Sequence, residues 1–240
     1  MRINRALAFL GAGSRRRVEE LIRQGRVRVN RQVVEDLSLR VDPWEDLIEV
    51  DGRRLSPPPL LYFAYHKPAG IISTLRDERG RKSLAPIAAA MGGGVFPVGR
   101  LDRESEGLIV FTNDGEFAHR LLHPSFGFTR EYLVWVRGRP AKGELSRLTQ
   151  GVEIGEPRRA RALAVEVLEQ GGRETKLRVV VAEGRKRLVR RMFQVVGHPV
   201  MRLLRVRHGP IRLGGLEAGS FRPLSEGEVS AVLGGDQDRR

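Results

Sequence analysis

Phe96-Pro97-Val98-Gly99-Arg100-Leu101-Asp102-Arg103-Glu104-Ser105-Glu106-Gly107-Leu108-Ile109-Val110-Phe111 sets a carboxylate in a loop between two glycines and follows it with an apolar run. The glycines permit tight turns, and the run suits a buried strand. Arg100 and Arg103 flank Asp102 and favour its charged form. By composition alone, the same residues make an ordinary surface ion pair equally well.

Outward from this loop, short strands are expected at 60–65, 130–137, 160–168, 175–182 and 200–206, with helical patterns between some of them. They do not alternate regularly with helices. The fold class is therefore α+β: a small amino-terminal α/β domain, then a mixed, mainly antiparallel sheet with flanking helices rather than a doubly wound parallel one. A second informative stretch, Glu183 to Phe193, follows the apolar strand Val179-Val180-Val181. Val189, Met192, Phe193 and Val196 share one helical face, Gly197 ends the helix, and Arg190 stands at the edge of the stripe. An edge guanidinium there is able to turn inward and pair with a carboxylate in a way Lys matches poorly.

The chain has 240 residues, a formal net charge of +14 and no Cys. Its partner is expected to be polyanionic, nucleic acid before an acidic membrane. Without Cys there are no disulfides, thiolate nucleophiles or Cys-based zinc sites, which fits a cytoplasmic protein. The 43 basic residues are nearly all Arg, a skew that genome composition or thermal adaptation also produces, so their distribution matters more than their number. They concentrate at two places: Arg2 to Arg31 carries nine Arg against Glu19 and Glu20, and Glu183 to Arg222 carries ten basic residues against two Glu. No run is apolar enough for a membrane span, and no basic amphipathic helix with bulky apolar anchors suggests a membrane surface.

Residues 1–52 read as a separate module. Ile3, Ala6, Leu7 and Leu10 form a helical stripe; Ser14 caps a second helix carrying Val18, Leu21 and Ile22, and Gly25 ends it. Arg15, Arg16 and Arg17 lie in that helix's first turn, where cations oppose the helix dipole, so phosphate contact is the simplest reason for them; a solvated charge run offset by Glu19 and Glu20 is the bland alternative. Arg26-Val27-Arg28-Val29 alternates like a strand. Ser56-Pro57-Pro58-Pro59 marks a stiff linker over 53–60, a second domain is expected over 61–233, and 234–240 reads as a mobile tail.

The amino-terminal order RINRALAFLGAGSRRRVEELIRQGRVRVN resembles the S-four-type RNA-binding domain, with Arg31 standing where members often have Gly. The larger module resembles the RsuA family of pseudouridine synthases. Tyr65-His66-Lys67-Pro68-Ala69-Gly70 is similar to its Lys-Pro-x-Gly entry motif, Gly99-Arg100-Leu101-Asp102 to the motif that carries its catalytic Asp, and Thr112-Asn113-Asp114-Gly115 to the segment after it. Arg130 to Val134 resembles the strand bearing its Tyr, and 183–192 its third motif, where Arg187 and Leu188 replace a common His-Gln.

The resemblance implies Asp102 as nucleophile or base, Tyr132 stacked on a flipped uracil, and Arg190 in a salt bridge with Asp102. RNA contacts are expected from Arg2, Asn4, Arg15, Arg16, Arg17, Arg26, Arg28, Lys67, Arg100, Arg185, Arg187 and Arg191. The implied substrate is ribosomal RNA or a ribosome assembly intermediate, large subunit before small; a monomer is the default expectation. Moving uracil from an N- to a C-glycosidic bond needs no redox step, and neither cofactor nor metal is implied. Read without the resemblance, Tyr132 packs a strand more readily than it meets a base. Two rivals remain: a metal-dependent nuclease built on Asp102, Glu104, Glu106 and Asp114, and a noncatalytic RNA-binding assembly factor.

Overall fold

The first turn of the second amino-terminal helix follows from its sequence. In the computed structural model, which describes residues 1–234, α1 spans Ile3–Phe9 and α2 spans Arg15–Arg23. The Ser14 hydroxyl accepts from the Arg17 amide and so occupies one of the donors a helix start leaves free. Gly25 at φ +66° turns the chain out of α2. Strands β1 (Val27–Val29), β2 (Gln32–Val33), β3 (Ile48–Val50) and β4 (Arg53–Arg54) form an antiparallel sheet in the order β2-β1-β3-β4. Ile3, Leu7, Val18, Ile22, Val27 and Ile48 close one core between the helices and this sheet.

The linker expected over 53–60 is shorter than the sequence suggests. Arg53 and Arg54 pair with Val50 and Glu49, and the Leu55 amide donates to Ile48 at 2.9 Å. Ser56 onward carries the prolines, which have no amide to continue the ladder. By its internal packing the chain divides into one unit of Met1–Leu61 with Met91–Val95 and a second of Tyr62–Ala90 with the residues from Phe96 on. The tail expected over 234–240 lies, beyond Gly234, outside the described residues.

In the second unit the elements run β5 (Tyr62–Lys67), α3 (Ala85–Met91), β6 (Phe96–Val98), β7 (Glu106–Thr112), α4 (Gly115–Leu122), β8 (Arg130–Arg137), α5 (Lys142–Gln150), β9 (Ala164–Gln170), β10 (Glu174–Val181), α6 (Leu188–Val195), β11 (Val200–His208), β12 (Ile211–Arg212), β13 (Phe221–Pro223) and α7 (Glu226–Leu233). The main sheet has the order β13-β5-β7-β11-β8-β10-β9, with β6 on β7 and β12 on β11. Every pairing is antiparallel except β7 with β11. The sheet is thus mixed and mainly antiparallel, as the irregular strand spacing predicts. The strand expected at 160–168 begins later, because Ala160 leaves the sheet to bridge Val152. Leu108, Val110, Phe117, Leu121, Ile211 and Val232 pack a core between strands and α4.

Strand β7 is the apolar run after Asp102, and its residues from Gly107 to Thr112 are buried. Gly107 begins that buried stretch, opposite Lys67 on β5 and Arg205 on β11. The Asp102 loop therefore enters the sheet at its middle, where three strands meet.

Candidate active site

A cavity of about 880 Å³ opens in the second unit, and the Asp102 loop forms one wall. Tyr132 from β8, Val181 from β10, Leu203, Arg205 and His208 from β11, and the segment 183–189 complete it. Strand alternation places Arg130 and Tyr132 on one face of β8, both nearly buried. This is a concave site with a flat aromatic side and a cationic interior.

The Asp102 loop is tied down on both sides by groups distant in sequence. The Ser73 hydroxyl donates to the Leu101 carbonyl at 2.7 Å and accepts from the Leu101 amide at 3.0 Å. The Gly70 amide donates to Arg103 O at 2.7 Å. Beneath them the Lys67 ammonium donates to Pro68 O at 2.9 Å and to Arg103 O at 3.4 Å. Arg190 donates to Glu104 O at 3.2 Å and to Val200 O at 3.0 Å, joining the loop to α6 and β11. The half-buried Asp102 carboxylate itself has no hydrogen bond or ion pair among the described residues. A fixed backbone thus presents to the cavity a carboxylate without a protein partner among the described residues, the preorganised arrangement that chemistry at a bound group requires.

Several sequence expectations are corrected here. Arg190 does not ion-pair with Asp102; its nearest carboxylate is Glu104, at 3.9 Å. Its guanidinium is held by the two carbonyls, and burial pushes it below its ordinary value, while Glu104 and Asp102 oppose that shift. Lys67, expected to meet RNA, is fully buried. Burial lowers it to about 8, against the nearby carboxylates Glu106, Asp102 and Glu104. Arg185 is consumed internally by Glu183, Glu156 and the carbonyls of Arg158 and Arg159. Arg191 is taken up by Glu156 and Ile154 O. Arg187 pairs with Glu104, whose carboxyl burial raises but whose hydrogen bond from Arg187 brings it below the usual range.

The remaining candidate cations are exposed. Arg100 is exposed at the cavity, and Arg2, Arg16, Arg17 and Arg28 are exposed on the first unit. Arg17 pairs with Glu20 at 3.0 Å, and Arg26 makes a two-pronged pair with Asp51. Asn4 donates to Glu19 at 3.1 Å. The Arg15 side chain lies outside the described residues.

The four carboxylates of the nuclease reading do not converge. Glu104 faces Arg187, Glu106 takes a two-pronged hydrogen bond from Arg202, and Asp114 caps α4 while accepting from Tyr62 at 2.9 Å. Sequence reasoning missed Ser73, whose tie to Leu101 spans 28 residues and has no local signature, and also Arg205 and His208 on the cavity's inner wall.

The family model described as RNA pseudouridylate synthase matches residues 61–195, which contain the Asp102 loop, Tyr132 and Arg190. The chain belongs to that family. An S4 domain model matches residues 1–48 of this pseudouridylate synthase. Among its relatives, an RNA pseudouridine synthase of Aquifex aeolicus (strain VF5), described as uncharacterized, is 41% identical, covering 97% of this chain and 94% of its own. The ribosomal large subunit pseudouridine synthase B of Bacillus subtilis (strain 168) is 38% identical, covering 96% of this chain and 95% of its own. A crystal structure of a pseudouridylate synthase superposes with a TM-score of 0.69 at 26% identity, covering 97% of this synthase and 99% of the other chain. No helix among the described residues is long and apolar enough to cross a membrane.

Proposed function

We propose that this synthase isomerises a specific uridine of ribosomal RNA, in the large subunit, with Asp102 as its catalytic carboxylate. The observation that carries the proposal is the unpartnered Asp102 carboxylate on the wall of the cavity that Tyr132 also lines. The target nucleotide is flipped out of its stack at a cost of a few kcal/mol. Tyr132 offers the flat face for the uracil, and Asp102 acts on the nucleotide as nucleophile or base. Arg190 serves as a positioning residue that holds the loop, through the Glu104 carbonyl.

RNA affinity comes from two sources. The exposed Arg2, Arg16, Arg17 and Arg28 belong to the S4 module, and Arg100 stands at the cavity. Their contribution is mainly electrostatic and falls with salt. The choice of large-subunit RNA rests on the relatives so described, above all the 38% identical Bacillus subtilis synthase, whose match spans nearly the full length of both chains.

The test maps pseudouridine by carbodiimide labelling and primer extension on ribosomal RNA from cells lacking the gene, complemented with wild type or Asp102→Asn. The expected result is one missing large-subunit stop that only wild type restores. A lost small-subunit stop would move the substrate to that RNA. Persistence of every stop would overturn the assignment to ribosomal RNA, and restoration by Asp102→Asn would overturn the role of the carboxylate.

A further inference from the structure

The inner wall of the cavity holds two buried cations that no carboxylate among the described residues neutralises. Arg205 is 3% exposed and Arg130 is 6% exposed, and both line the cavity. Among the described residues neither has a carboxylate within ion-pair distance. Arg130 donates to Ala182 O at 3.2 Å and Leu122 O at 3.5 Å. Arg205 gives its Nε to Leu108 O at 2.7 Å, but its Nη2 is buried with no partner. An uncompensated buried charge is strongly destabilising, and a second one nearby adds to the cost. Burial pushes Arg130 below its ordinary value, and the Arg205 cation pushes in the same direction.

His208 stands beside both cations without adding to their charge. It is fully buried, neither ring nitrogen has a hydrogen-bond partner among the described residues, and burial together with Arg205 and Arg130 holds it well below its usual value. A neutral imidazole adds no third positive charge to this wall. Its position comes from a bulge: β11 slips by one residue against β8 between Arg205 and Arg207. Arg207 thereby turns to Glu131, 3.2 Å away, while His208 faces Arg130 across the ladder. Bulges of this kind re-aim side chains beside active sites.

We infer that Arg205, assisted by Arg130, takes the carbonyl edge of the target uracil and carries the negative charge of the ring when it leaves the ribose. The inference rests on the reading of this chain as a uridine isomerase. Arg205 stands directly opposite Tyr132 in the β8–β11 register, so a ring lying against Tyr132 brings its edge to the guanidinium. Backbone phosphates have other partners in the exposed Arg100, Arg103 and Lys186 at the same cavity. Breaking the N1–C1′ bond leaves its electron pair on uracil, spread over N1, O2 and O4. The ring turns, C5 supplies the pair for the new bond to C1′, C5 loses its proton, and N1 gains one. Donors aimed at the two carbonyl oxygens stabilise the charge where it develops.

The test measures single-turnover pseudouridine formation and RNA affinity across a salt series, using the full chain and ribosomal RNA from the deletion strain. Arg205→Gln is expected to slow turnover by roughly 100-fold or more, the cost of one such donor, with the dissociation constant and its salt dependence preserved and the melting temperature no lower than wild type. Arg205→Lys keeps the charge without the planar fork and is expected to be about 10-fold slow; it decides the matter if the Gln variant does not fold. Wild-type rates in either variant would overturn the inference. So would weaker binding with a salt slope smaller by about one at unchanged turnover, the signature of a phosphate contact. Absence of wild-type turnover would bring down the isomerase reading itself, whereas wild-type turnover with an unaffected Arg205→Gln brings down this inference alone.

Discussion

Gly107 lies so close to Arg205 that a Cβ built on it would stand 2.3 Å from the Arg205 carbonyl oxygen. The glycine also sits at φ +106°, a region L side chains rarely adopt. Both facts belong to one place, the parallel contact of β7 with β11, five residues after Asp102 and at the residue carrying the buried guanidinium. Gly107→Ala must push two backbones apart and adopt a strained angle. We expect a loss of about 3 kcal/mol or more, well above an ordinary surface substitution. Denaturant unfolding of the variant checks it; a change under 1 kcal/mol would mean that the strands yield easily.

Lys67 should leave a signature in the pH dependence of stability. Its ammonium is lowered from the ordinary 10.5 to about 8 by burial. Between those values the unfolded chain binds a proton that the folded chain has released, so this residue makes stability rise with pH from about 8 to about 10.5. The full effect is about 3 kcal/mol. Lys67→Met should remove that rise, visible as a difference between the two unfolding curves across the window. The same variant loosens the Asp102 loop without touching an RNA contact. Turnover should fall by roughly 10-fold with RNA affinity and its salt slope unchanged; a smaller slope would show that Lys67 meets phosphate after all.

Local chemistry was legible in the sequence, whereas tertiary partnerships were not. The Ser14 cap, the Gly25 turn and the stripe Val189, Met192 and Phe193 follow from short-range periodicity, and each stands where that periodicity places it. The Asp102 loop was legible because glycines and an apolar run bracket a carboxylate. Lys67 was misread because its carbonyl partner on Arg103 lies 36 residues away, and nothing local marks a lysine that turns inward. Arg185 and Arg191 look like a basic face until Glu156, about 30 residues earlier, folds against both. Arg205 and His208 depend on a bulge whose register shift no alternation pattern within β11 announces.

The departure at Arg31 is also a measurable strain. Asn30 and Arg31, at φ +50° and +71°, join β1 to β2 as a two-residue hairpin with Val29 opposite Gln32. Such turns require positive φ at both positions and favour Asn followed by Gly. Asn30 is held by its side chain, which donates to Asp46 and accepts from the Leu47 amide, each at 3.0 Å. Arg31 has no such compensation among the described hydrogen bonds. Arg31→Gly should therefore stabilise the amino-terminal module by about 1 kcal/mol, less the entropy glycine adds to the unfolded chain. An unfolding midpoint that fails to rise would show that the turn carries no strain.

Asp102→Asn and Arg190→Lys should separate chemistry from positioning. The Asp102 carboxylate has no hydrogen-bond or ion-pair partner among the described residues, so its amide replacement should leave stability within about 0.5 kcal/mol, as for a surface change away from special features. RNA affinity should be equal or slightly higher because a negative charge beside the polyanion is gone. Turnover should fall by at least about 1000-fold, since an amide neither attacks nor accepts a proton as a carboxylate does. Arg190→Lys leaves Asp102 in place but cannot reach Val200 O and Glu104 O together, so one or both buried carbonyls lose their donor. That variant should lose about 2 kcal/mol of stability and only part of its turnover, with the remaining activity still requiring Asp102. The double variant decides the assignment: it should be as slow as Asp102→Asn and as unstable as Arg190→Lys. Residual turnover in Asp102→Asn that Arg190→Lys then abolishes would transfer the catalytic role away from the carboxylate.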